Sequence, residues 1–299
     1  MKKWLCSIAG LSLALAGSLA VHAQTPVVTP AVTPSTILNI QVDNIKPYAD
    51  APYDYLASEY PALSERLKDP THILAMESLT GAPRAIYISG FDSYEALQKN
   101  EEWNLGDTAI DAKIDSLDAR QAANVSEIHY SIWHYRADLS NNVAAADIAH
   151  SHYWEVIIFH MRAGHDAQFD KMTKLYRDAN LKIGQNIPWA TYEGLTGVTD
   201  SYLILVPMTS LKDEDTGLAH EKDFGVAMGD EGNAQMNKLS EEGVASVEDN
   251  IWMVIPEWSY VDKSWIDADP QYWGPQPAAK PAQKPAAGAA PTPKAPPAH

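Results

Sequence analysis

Apolar and polar residues alternate from position 38. Leu38, Ile40 and Val42 share one parity, with Asn39, Gln41 and Asp43 between them. A period of two predicts a half-buried strand. The period then changes. Tyr53, Leu56, Tyr60, Leu63 and Leu67 follow at three- and four-residue steps, one face of a helix. THILAMESL and AIYISGF flank the segment TGAPR, whose Gly81 and Pro83 predict a hairpin turn. Helical stretches are predicted in SYEALQKNEEW and DAKIDSLDARQAAN. EIHYSIWHY, rich in β-branched and aromatic residues, closes the series as a strand. The order is β-α-β-β-α-β, the split βαβ or ferredoxin-like unit.

The pattern is then written again. ESLTGAPRAIYI at 77–88 returns as EGLTGVTDSYLI at 193–204, a shift of 116 residues. At that shift Leu38, Ile40 and Val42 fall on Trp154, Val156 and Ile158. Farther on the shift grows to 122, placing Tyr130 on Trp252 and Ile132 on Val254. About six extra residues are therefore expected near GVAMGDEG (225–232), a Gly-rich segment read as a helix break and a lid over one cavity mouth. The organisation is a signal peptide (1–23), a Thr/Pro linker (24–36), a first repeat (37–139), a connector (140–152), a second repeat (153–262) and a Pro/Ala/Lys-rich disordered tail (263–299).

A four-stranded sheet with helices on one face leaves its other face to be covered, and two such sheets can cover each other. The expected fold class is therefore α+β, two tandem ferredoxin-like βαββαβ repeats packed sheet to sheet. Over residues 37–262 this resembles the dimeric α+β barrel superfamily in a fused, pseudo-dimeric form. Members include cofactor-independent monooxygenases, stress-responsive barrel proteins, and the haem-binding chlorite dismutases and dye-decolorising peroxidases. Such diversity means that fold alone does not choose an activity.

The resemblance implies a ligand cavity between the sheets. If Leu38, Ile40 and Val42 face the helices, then Asn39, Gln41, Glu155 and Ile157 face inward. In the last strand of the first repeat, either His129, Ser131, Trp133 and Tyr135 or Tyr130, Ile132, His134 and Arg136 line the cavity. The ligand-binding candidates are Asn39, Gln41, Glu155, Trp133 and Tyr135. Glu77 and Glu193 occupy equivalent places, so a pseudo-twofold axis would make them a symmetric carboxylate pair. With His129 they are the catalytic candidates, as bases or ligand acceptors if burial raises their pKa.

Metal and haem chemistry find less support. His150, His152, His160 and His165 are close in sequence, but no metal-ligand spacing such as His-Glu-x-x-His occurs. A haem needs a proximal histidine, for which His129 and His134 are the candidates and His160, at a strand end with helix-facing parity, a lesser one, and no haem motif accompanies them. The cofactor expectation is none. Trp133, Trp154, Trp189, Trp252, Trp258 and Trp265 read as core.

The ends and the charge fix the setting. Lys2 and Lys3 precede an apolar run from Ser7 to Val21, and Val21-His22-Ala23 supplies the small residues of a cleavage site. A periplasmic or extracellular location follows, with no membrane insertion after cleavage. Cys6 is the only cysteine, so cleavage leaves neither disulfide nor thiolate. The chain carries 22 basic against 39 acidic residues, a net charge of −17. Residues 24–273 hold 17 of the basic residues and all 39 acids. Such a surface repels nucleic acid. Lys280, Lys284 and Lys294 in the tail offer a weak envelope contact. Three functions stand side by side: a binder of a small, partly apolar molecule, a monooxygenase-like enzyme, and a structural envelope protein with a filled barrel.

Overall fold

A computed structural model describes residues 33–106 and 108–274. The expected signal peptide, most of the Thr/Pro linker and the tail beyond Gly274 lie outside the described residues. The first half contains β1 (Ile37–Ile45), α1 (Asp50–Ala57), α2 (Glu59–Leu67), β2 (Leu74–Ser78), β3 (Arg84–Phe91), α3 (Tyr94–Gly106), α4 (Thr108–Gln121) and β4 (Val125–Tyr135). The second half contains β5 (Tyr153–Met161), α5 (Asp166–Lys182), β6 (Ala190–Thr196), β7 (Ser201–Met208), α6 (Lys212–Gly243) and β8 (Val244–Val254). Two short helices follow, α7 (Lys263–Ala268) and α8 (Pro270–Trp273). Among the described residues no helix is long and apolar enough to cross a bilayer.

The eight strands form one closed antiparallel barrel in the order β1-β3-β2-β8-β5-β7-β6-β4. The halves are hydrogen-bonded edge to edge, not only stacked face to face. Met76, Glu77 and Ser78 pair with Val254, Met253 and Trp252 at one seam. Residues 132–135 of β4 pair with β6 at the other. Closure leaves no free sheet edge, the feature that makes open sheets prone to mispairing.

Inside the barrel sits an apolar cluster that includes Leu38, Ile40, Ile86, Trp133, Trp154, Val156, Leu203 and Trp252. The expected parity is thereby reversed. The apolar row of β1 faces the lumen, and Asn39, Gln41 and Asp43 face the helices. The same holds in β5, where Trp154, Val156 and Ile158 point in, and Ile157 and Phe159 pack outward against Phe169 and Met172 of α5. The reason is dryness. A closed lumen accepts apolar rows, whereas the helix side supplies hydrogen-bond partners for a polar row. Fully buried Tyr53 of α1 donates to Asp43 Oδ2 at 2.7 Å, and Gln41 Nε2 donates to Asp43 Oδ1 at 2.8 Å.

The register also revises the alignment of the halves. Ile37 pairs with His134 in the first half, and Tyr153 pairs with Met253 in the second. The first strands are thus shifted by 116 residues and the last by 119, so Trp133 matches Trp252 and Val125 matches Val244. The net insertion is three residues rather than six. GVAMGDEG lies within α6, which breaks at Gly229 (φ +70°, ψ 172°). That helix packs on α5, through Tyr176 and Phe224 for example, and does not cover a mouth.

The segment expected to be a disordered tail from residue 263 is ordered to Gly274. Asp262 and Asp269 cap α7 and α8 by accepting from Ser264 N and Tyr272 N. Trp273 joins the lumen cluster. Its indole Nε1 donates to Ala149 O at 2.7 Å, and Tyr272 Oη donates to Val254 O at 2.6 Å. Residues 263–273 form a strap across one mouth.

Candidate functional site

That mouth opens into a cavity of about 700 Å³. Its floor is the end of the lumen cluster, where Leu38, Ile88 and Leu205 meet Trp154 and Tyr192. Its walls come from loops and helices beyond the strand ends. Trp103 enters from α3, Trp189 from the approach to β6, and Trp265 from the strap. The rim carries Thr71, His72, Asp92, Lys99, Asn100 and Asp262. Thr71 Oγ1 donates to Asn100 Oδ1, Lys99 is paired with Glu95 at 2.7 Å, and the His72 ring packs on Tyr260 at 5.3 Å.

None of the ligand-binding or catalytic candidates borders this cavity. Trp133 and Tyr135 do face the lumen, and Trp133 Nε1 donates to Ser131 Oγ at 2.8 Å. Asn39, Gln41 and Glu155 face the helices. Glu77 and Glu193 also lie on the outer surface and do not converge. Glu193 accepts from Arg136 at 2.8 Å, and the same guanidinium reaches Asp138 at 2.9 Å and Asp170 at 3.4 Å. In the first half Ile255 stands where Arg136 stands in the second. There burial, with Asp50 nearby, pushes Asp54 up to about 6, and Glu77 is raised by burial and by Asp54 and Asp50. His129 lies toward the opposite mouth, 56% exposed and 3.2 Å from Glu127.

The opposite mouth is charged. Arg84 donates to Glu248 at 3.0 Å, and its guanidinium lies 5.4 Å from the centre of the Trp252 ring. His160, expected to face the helices, turns inward to Glu248 at 3.3 Å and Ser201 at 2.9 Å. His150 and His152 meet carboxylates instead of each other, Asp147 and Asp269 respectively, each at 2.9 Å. Among the described residues no group of three His, Cys, Asp or Glu side chains is placed to hold a metal ion. Of the two leading haem candidates, His129 is near the charged mouth and His134 is exposed on the outer parity of β4, so neither borders the cavity.

A second cavity, about 220 Å³, lies between the barrel and helices α5 and α6. Glu155 and Asp249 border it and interact with each other. Burial first, then the charges of Asp249 and Glu214, push Glu155 up to about 8. Asp249 is raised as well, chiefly by burial. A raised carboxyl binds its proton more tightly in the folded chain, so stability falls as pH rises through the window from 4.5 to about 8. Glu155→Gln is expected to flatten this part of the curve and to be more stable than the wild type at pH 8. Urea melts at pH 5 and pH 8 test this, and parallel pH dependences in the two proteins would refute it.

The loop and strap residues of the main cavity escaped sequence reasoning because no periodicity links them. One signal was present: WIDADPQYW (265–273) is too rich in aromatics for a Pro/Ala spacer.

No family model matches the chain, and no curated protein does. Solved structures resemble it. An anthrone oxidase-like protein has a TM-score of 0.48 at 12% identity, covering 79% of this chain and 97% of that one. A monooxygenase-like protein of Fusobacterium nucleatum has a TM-score of 0.47 at 9% identity, covering 75% and 94%. A chlorite dismutase from Candidatus Nitrospira defluvii, in complex with imidazole, has a TM-score of 0.42 at 9% identity, covering 79% and 96%.

Proposed function

We propose that the protein binds one small, largely apolar molecule in the strapped mouth of its barrel. The observation that carries this reading is the cavity of about 700 Å³ walled by Trp103, Trp154, Trp189 and Trp265. Ligand sites are usually concave, mostly apolar and a few hundred to a thousand cubic ångströms in volume. We read the ring as two ferredoxin-like units in tandem, because β4-β1-β3-β2 and β8-β5-β7-β6 repeat one strand order. The leader at residues 1–23 supports a place outside the cytoplasm.

A neutral fluorescent probe, N-phenyl-1-naphthylamine, tests the reading. It is expected to bind saturably at one site. Ala96, partly buried on α3, borders the cavity. Ala96→Trp fills the space from the rim and is expected to weaken binding at least tenfold with little change in melting temperature. No saturable signal in the wild type, or equal binding by the filled variant, would overturn it.

One observation favours a second reading, a structural protein with a filled barrel. Mid-lumen is packed by Trp133, Trp252, Met76 and Leu203. The same titration separates the two, since a structural barrel takes up no probe.

A further inference from the structure

Granted the binding reading above, on which this rests, we infer that the preferred ligand is an organic cation, an ammonium-type group on an aromatic or branched apolar body.

Two of the four wall indoles spend their N–H groups on the backbone. Trp154 Nε1 donates to Ser151 O at 3.3 Å, and Trp189 Nε1 donates to Leu139 O at 2.9 Å. The strap's Trp273 is committed to Ala149 O in the same way. These indole N–H groups already serve backbone carbonyls, so an anionic or acceptor-rich guest gains nothing from them. An indole ring carries a negative face, which attracts a cation within about 6 Å and repels an anion.

The rim has the matching sign. Asp92 and Asp262 both border the cavity. Lys99 is offset by its ion pair with Glu95. Neutral donors at the rim include the Asn100 amide and the His72 ring, which is packed on Tyr260. The hydroxyl of Ser264, and then its backbone N–H, hold the Asp262 carboxyl below the usual range. Beyond the rim, the net charge of −17 raises the local concentration of cations around the molecule.

Two probes of the same shape separate charge from greasiness. Phenyltrimethylammonium and tert-butylbenzene differ only in a quaternary nitrogen against a quaternary carbon, and benzenesulfonate supplies the opposite charge. Each competes against N-phenyl-1-naphthylamine on the full chain. The cation is expected to displace the probe at about a tenfold lower concentration than tert-butylbenzene, the scale of a desolvated cation–ring contact. Benzenesulfonate is expected to be the weakest. In the double variant Asp92→Asn, Asp262→Asn the cation's advantage over tert-butylbenzene is expected to fall to about threefold. Asparagine still caps α7, so the strap keeps its anchor. Equal displacement by the two isosteres, or tighter binding of benzenesulfonate, would refute the cation and leave the binding reading standing. Failure of N-phenyl-1-naphthylamine itself to bind would bring down both.

Discussion

Trp273→Ala is expected to lower the free energy of unfolding by about 3–5 kcal/mol, the usual cost of removing a buried tryptophan. The residue comes from the last described helical turn, where loss would ordinarily be mild. Its position in the lumen changes that. Trp273 is 7% exposed, and its ring meets Trp265 at 5.5 Å and Tyr272 at 5.2 Å. The surrounding strands are closed into a ring and cannot collapse into the gap, so the cavity term is paid almost in full. The strap is short, and its other ties include the His152–Asp269 pair, the His152–Tyr272 stack at 3.6 Å and the Tyr272 bond to Val254 O. Without the indole the strap is expected to come free, and protease to cut near residue 262 well before the barrel unfolds. Trp265→Ala, less buried, is expected to cost about 1–2 kcal/mol. Similar losses from the two variants in urea melts would contradict the anchoring role of Trp273.

Gly197→Ala is expected to cost about 2–4 kcal/mol, and Gly81→Ala about half as much. Both glycines sit in hairpin turns at positive φ, +76° and +84°, where a Cβ adds about 1–2 kcal/mol of backbone strain. Surroundings separate them. A Cβ on Gly197 would lie 2.1 Å from the backbone oxygen of Tyr130. Tyr130 pairs with Gln41 of β1, so yielding means distorting a ladder. A Cβ on Gly81 would meet Asn250 Oδ1 at 2.5 Å. That contact is with a side-chain amide and not a ladder, so it can shift at the cost of its bonds to Thr80 O and Arg84. Overpacking against a fixed neighbour adds about 1–3 kcal/mol. Thermal or urea melts of the two variants decide the matter, and a larger loss at Gly81 would show that the β4–β6 seam yields more readily than the ladder implies.

Those two glycines come from the duplicated phrase that revealed the architecture, so the most legible part of the sequence is also structurally tight. The order of strands and helices was readable because periods of two and three to four mark each element. Periodicity says which residues share a face and is silent on which face it is. Leu38, Ile40 and Val42 were a correct set assigned to the wrong side, because an open sheet buries its apolar row under helices and a closed barrel buries it in the lumen. Gln41 and Asp43 could occupy the helix side only because Tyr53 brings a hydroxyl to them. The shift of 122 rests on like residues at several positions, Tyr130 with Trp252 and Ile132 with Val254 among them. The true partner, Trp133, was three positions away, and only the ladder distinguishes them. The cavity was the least legible feature, since Trp103, Trp189 and Trp265 meet there from three unrelated segments.

Ring closure within a single chain has an evolutionary consequence. A barrel made from two identical chains must accept every substitution twice, and its stability depends on dilution. Here each half mutates by itself, and no encounter between chains is needed to close the ring. Arg136 binds Asp138 beside it and Asp170 and Glu193 of the second half, while Ile255, 119 residues on, stands at the corresponding place against the first. A strap could be added over one mouth, and the other could remain charged, without either change being copied across the axis.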